Sequence, residues 1–167
     1  MIITCVCSSY KLALKAGAFG LLIFILLFFQ TSQAHTFSSV SDLNDLWIVT
    51  KNNKHKFRVE LAKTASDQQT GLMFRRNLAA DQGMLFVKSY FSIIQMWMKN
   101  TYISLDMIFI GRQGKIVDIY EKAVPHSNKI IRSKSMAVAV LEVNGGTVSR
   151  LNINIGDTIV FPDLEIK

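Results

Sequence analysis

An α+β fold is what this sequence predicts: a single compact domain dominated by antiparallel β-sheet, able to close as a barrel, with two or three short helices. Three observations carry that expectation. The apolar residues of the C-terminal two thirds fall in short runs, several alternating with polar residues at the period of a half-buried strand. Turn formers separate the runs, as in Asp81-Gln82-Gly83, Gly111-Arg112-Gln113-Gly114 and Asn144-Gly145-Gly146. Helical signals are few and short, and only two prolines, Pro125 and Pro162, interrupt the pattern.

The first 34 residues stand apart from this domain. Lys11 and Lys15 are their only charges, and Gly17 to Phe29 carries no polar side chain. Ser32 and Ala34 then take the −3 and −1 places before His35, which is the layout of a cleaved secretory signal. The apolar run would rise only about 20 Å as a helix, against a bilayer core of about 30 Å. The expectation is therefore a signal peptide over 1–34 and a protein exported to the periplasm or secreted, with no stable membrane span after cleavage near Ala34. An uncleaved N-terminal anchor is the alternative. Removing the leader takes the net charge from +7 to +5 and removes Cys5 and Cys7, the two cysteines of the chain. Disulfides, cysteine metal sites and cysteine nucleophiles are then excluded for the mature protein.

Residues 35–54 form a Ser/Asn/Asp-rich N-terminal segment, expected to be mobile apart from a short strand at 46–50, and the β-rich domain is set at 55–163. His55 to Ala62 alternates, with Phe57, Val59 and Leu61 on one face and Lys56, Arg58 and Glu60 on the other. Thr64 to Asp67 is a capping-box variant that opens a helix to about Met73. Strands follow at 84–87, 93–98, 105–110 and 115–120, the last two joined by the Gly111–Gly114 hairpin turn. Glu121 to Ser135 reads as a long polar and basic loop, of the kind that is functional or mobile. Met136 to Val143 is the longest apolar strand, Thr147 to Leu151 a helical turn, and Thr158 to Phe161 the last strand.

The ordered motifs Gly71-Leu72-Met73-Phe74-Arg75, Gly83-Met84-Leu85-Phe86, Trp97-Met98-Lys99-Asn100-Thr101, Leu105-Asp106, Leu141-Glu142-Val143-Asn144-Gly145-Gly146-Thr147 and Ile155-Gly156-Asp157 resemble the uncharacterised "domain of unknown function 192" family over roughly 56–161. The resemblance implies a compact β-rich α+β fold and agrees with export, since members are often exported. It implies no activity. Ser104 replaces the proline usual before the Leu-Asp pair, and Val124-Pro125-His126-Ser127-Asn128 replaces a cysteine pair that some members carry.

The candidate ligand-binding residues are Arg75, Trp97, Lys99, Asn100, Thr101, Asp106 and Glu142. Asp106 lies among apolar residues and needs a partner, for which Lys99 or Asn100 is at hand. Glu142 interrupts an apolar strand on the face of Val138 and Val140 and calls for Arg75, Lys99 or backbone donors. An aromatic beside hydrogen-bonding groups, with no nucleophile–base set, favours a noncatalytic envelope binding or accessory module. Its partner would be a small polar or glycan-like ligand or an envelope protein. A hydrolase or lyase using Asp106 and Glu142 with Lys99 is one alternative, and a purely structural or interaction domain the other. No cofactor is called for. Met96-Trp97-Met98 reads as core packing with S–aromatic contacts rather than a copper site, and His35, His55 and His126 lack ligand spacing. The modest, dispersed +5 and the leader argue against nucleic acid. Oligomeric state is not legible.

Overall fold

Strand β1 (Asn44–Val49) lies near one edge of a seven-stranded sheet in the computed structural model, which describes residues 43–161. The leader at 1–34 lies outside the described residues. The later strands are β2 (Lys54–Ala62), β3 (Gln82–Ser92), β4 (Gln95–Met96), β5 (Leu105–Ile110), β6 (Ile116–Ala123), β7 (Ile131–Arg132), β8 (Ala137–Asn144) and β9 (Thr158–Val160). The large sheet runs β6-β5-β8-β3-β2-β1-β9, and β4 pairs with β7 in a small second ribbon. Every pairing is antiparallel except β2 with β3. A parallel pair needs a crossover; helix α1 (Ala65–Thr70) and the loop after it supply it.

The sheet curls until its two edges meet at one end. Lys115 bridges to Thr158, the Ile116 N–H donates to the Asp157 carbonyl at 2.9 Å, and the Gly156 N–H returns to the Ile116 carbonyl at 2.9 Å. Gly114 makes the approach possible: its φ is +71°, and a Cβ there would come 2.2 Å from the Ile159 carbonyl oxygen. The result is a half-closed barrel, mostly β. Helix α1 and helix α2 (Thr147–Leu151) supply only six and five residues, so the α+β expectation gives way to a mostly-β class.

Both faces of the central strands are covered, which is why β5 and β8 read as continuous apolar runs. Inside the curl pack Leu46, Ile48, Phe57, Val59, Leu85, Ile108, Leu141 and Ile159. On the other face Met84, Phe86, Met98, Met107, Phe109 and Val140 form a second cluster, under the loops and the β4–β7 ribbon. Burying each such side chain is worth roughly 1.5–3 kcal/mol.

The local rules act as the sequence implies at several points. The Thr64 hydroxyl accepts from the Asp67 N–H at 3.0 Å, and the Thr64 N–H donates back to the Asp67 carboxylate at 2.9 Å. The helix stops at Thr70, short of Met73, where Gly71 takes φ +49° and leaves the chain close under Phe86, whose ring a Cβ there would approach to 3.0 Å. Three expectations are corrected. β1 sits within the sheet, so the β-rich domain takes in residues set apart in the 35–54 segment. The 93–98 strand shrinks to Gln95–Met96: the alternation of burial holds, but only these two residues find a ladder partner, in Arg132 and Ile131, while the Ile94 N–H turns to the Ser133 hydroxyl and the Met98 N–H to the Ser127 carbonyl. The 121–135 stretch is not an open loop: β6 runs on to Ala123 and β7 pairs with β4. Among the described residues no helix is long and apolar enough to cross a membrane.

Candidate functional site

Register places the two strand acids on opposite faces of one strand pair. Asp106 sits opposite Val143, and Met107 opposite Glu142. Asp106 therefore points with Ile108 into the curl, whereas Glu142 points with Val140 to the outer face, flanked by Met84 and Met107.

Asp106 is wholly buried and fully occupied. One carboxylate oxygen accepts from the Lys122 N–H at 2.8 Å and the Gly146 N–H at 3.0 Å, and the other from the Val148 N–H at 2.9 Å. It ties the end of β6 to the first turn of α2, whose orphan donors it satisfies. Its partners are backbone groups, not Lys99 or Asn100 as the sequence suggested.

Glu142 is 4% exposed, and its carboxyl has no hydrogen-bond or ion-pair partner among the described residues. Burial pushes its pKa up to about 8. It faces a narrow cleft walled by Gln68, Met73, Lys88, Gln95, Trp97 and Thr101, with about 70 Å³ of free space. That holds a couple of waters or the tip of a ligand, not a whole drug-sized molecule. Past Gln68, Lys88 and Gln95 it shares walls with a wider groove of about 350 Å³, bordered by Ser89, Tyr90 and Ile93. Lys88 is held in place by donating to the Gln68 side-chain oxygen at 2.9 Å, and burial lowers its pKa. Gln68 in turn donates to the Val87 carbonyl at 2.9 Å.

The other expected site residues divide. Trp97, 40% exposed, forms one wall, with the Lys99 ammonium 5.5 Å from its ring centroid. Thr101 is buried in the cleft wall, its hydroxyl donating to the Lys99 carbonyl at 3.2 Å. Asn100 shapes the turn from outside the cleft: it adopts φ +54°, and its carbonyl accepts the Phe74 N–H at 2.8 Å. Arg75 does not pair with Glu142. Its guanidinium forks onto Glu60 at 2.5 and 2.6 Å, and these bonds raise its pKa above the ordinary arginine value. The structure thus brings Trp97, Thr101 and Glu142 to one cleft and leaves Asp106, Asn100 and Arg75 outside it.

Sequence reasoning missed Gln68, Lys88 and Gln95. Gln95 had a visible signal, since it shares the alternation of Trp97. Gln68 and Lys88 had none, because α1 and the far half of β3 meet only in the fold. Among the described residues no three His, Cys, Asp or Glu side chains cluster as a metal site would require.

Residues 47–161 match the family DUF192, described as "Uncharacterized ACR". A crystal structure from Sinorhizobium meliloti 1021, named a "putative transcription regulator", is 45% identical. It covers 72% of this chain and 94% of its own, at a TM-score of 0.70. A protein of unknown function from Novosphingobium aromaticivorans DSM 12444 is 36% identical over 71% of this chain and 85% of its own, with a TM-score of 0.69. No curated protein matches the chain.

Proposed function

The chain belongs to the DUF192 family, and for it we propose a noncatalytic, exported binding module that takes a small polar, glycan-like ligand tip-first against Glu142. One observation carries this reading: a carboxyl on a nearly buried residue, without a partner among the described residues, opening on a cleft lined by amides, a hydroxyl and an indole. A buried polar group left unpaired costs stability, so its retention at the floor of a cleft points to an external partner. Near neutral pH the raised pKa keeps the group mostly protonated, able both to donate and to accept, as a sugar hydroxyl requires. Trp97 offers a flat apolar wall, and the groove past Lys88 has room for the rest of a sugar unit. Export rests on the leader layout of residues 1–34.

The hydrolase or lyase alternative draws no support from the geometry, because Asp106 faces away from Glu142 with its oxygens engaged. Nor does the name of the Sinorhizobium relative bring a recognition helix with it. The longer of the two α-helices among the described residues has six residues, a rise of about 9 Å.

The test is a titration with neutral mono- and disaccharides, followed by tryptophan emission and by amide shifts of Gln95 and Thr101. Binding lost in Glu142→Ala with the fold intact is the expected result. No response to any sugar, or an equal response in the variant, would overturn the reading.

A further inference from the structure

Three loops gather at the sheet end where β5 and β8 meet, Leu105 lying opposite both Ala123 and Asn144. Backbone bonds lace them together. The Phe74 N–H donates to Asn100, the His126 N–H to Thr101 at 3.1 Å, and the Met98 N–H to Ser127 at 3.0 Å. Phe74, Asn100 and His126 all hold positive φ there, a conformation kept only where the surroundings fix it. The Tyr102 ring packs edge-on to Phe74 at 6.3 Å and against His126 at 5.0 Å.

What this fixed scaffold presents is apolar and cationic. Phe74 is 60% exposed, Tyr102 41%, Val124 65% and Ile130 46%. Arg76 lies 5.7 Å from the Tyr102 ring centroid, Lys99 and Lys129 stand exposed on the other two loops, and Lys122 stands exposed at the end of β6. Residues 71–80, 97–104 and 122–130 contain no Asp or Glu. Two acids on the flanking strands are engaged, Glu60 by Arg75 and Glu121 by the Ser149 hydroxyl, and Glu142 on β8 is nearly buried.

We infer that this loop end docks on an anionic lipid surface, its aromatic and aliphatic tips entering the headgroup boundary and its cations meeting lipid phosphates. Lysine and arginine beside exposed aromatic rings are what an anionic interface selects. The aliphatic tips decide between acidic partners. A polysaccharide or nucleic acid would use the rings and cations but has no acyl region to receive Val124 and Ile130. The inference stands apart from the Glu142 cleft, because it uses neither the carboxyl nor its amide walls.

The chain has two tryptophans, Trp47 and Trp97, so Trp47→Phe in the full chain leaves Trp97 as a reporter beside the loops. Vesicles of phosphatidylglycerol and phosphatidylcholine in equal parts should shift Trp97 emission to the blue, and brominated lipid should quench it. Vesicles of phosphatidylcholine alone should do neither. R76Q/K129Q should weaken the response on the order of 25-fold, about fivefold for each cation removed. Should Trp47→Phe fold poorly, V124D/I130D in the otherwise unaltered chain should abolish the quenching. Sedimentation with vesicles while Trp97 emission stays unchanged would mean that the apolar leader alone binds, and would overturn the inference. So would undiminished affinity in R76Q/K129Q, or a Trp97 response to heparin with none to vesicles.

Discussion

Asp106 and Glu142 stand one register step apart on neighbouring strands, both almost wholly removed from water, yet they meet opposite fates. Asp106 gathers three backbone N–H groups and joins β6 to α2. Glu142 gathers none among the described residues and opens on a cleft. A buried acid that the chain has fully satisfied belongs to the architecture. One left without a partner at the floor of a cleft is where the proposed ligand would bind, and burial favours its neutral form.

The contrast breaks most visibly if Asp106 is altered. Asp106→Ala strands three donors in a dry interior and should cost on the order of 3–5 kcal/mol in urea unfolding. A loss below about 1 kcal/mol would remove Asp106 from its structural role. Glu142 should behave in the opposite sense. Its folded pKa of about 8 lies above the ordinary 4.5, so between those values the native state holds a proton that the unfolded chain has released. Stability contributed by this group is therefore complete below pH 4.5 and declines as pH rises, until the loss is complete above about 8. Glu142→Gln should flatten that slope and leave the variant more stable than the parent at pH 8.5, on the order of a few kcal/mol. Urea midpoints measured from pH 5 to 9 would check it; an unchanged slope in Glu142→Gln would place the pH dependence elsewhere.

Two smaller effects sharpen the comparison. Arg75→Ala should cost about 1–2 kcal/mol, since Glu60 is nearly buried while Arg75 keeps a third of its side chain in water. A double-mutant cycle with Glu60→Gln isolates the pair, and a coupling near zero would show that the fork contributes only packing. Lys99→Ala should change stability by less than about 0.5 kcal/mol, because its cation–π contact lies at the surface. A melting temperature several degrees lower would instead show that the 97–101 turn depends on the lysine.

Sequence pattern revealed the strands better than the partners. Leu105–Ile110 and Thr147–Leu151 form as expected, because apolar continuity and turn chemistry are local. The alternation also places Glu142 on the face of Val138 and Val140, so the face of that acid is legible. What each acid meets is not. The sequence offers Asp106 the side chain of Lys99 or Asn100, because side chains are visible in a sequence, whereas the N–H groups of Gly146 and Val148 acquire their direction only in the fold. It offers Arg75 to Glu142 for the same reason. Its true partner, Glu60, lies on what reads as the solvent face of an alternating strand. The cleft was half legible: Trp97, Thr101 and Glu142 belong to the motifs, while Gln68 and Lys88 arrive from elements that no local rule connects.

The seam at Gly114, Lys115 and Ile116 also sets a timetable. There β9, at the end of the described chain, pairs with β1 at its beginning and bonds to the mid-chain hairpin. A ribosome must therefore release the final strand before the curl can shut. Contacts so distant along the chain must form against a large loss of loop entropy, which points to folding in milliseconds to seconds, not microseconds. Until then the apolar interior of the curl stands open at one side, and a nascent chain in that condition is vulnerable to aggregation.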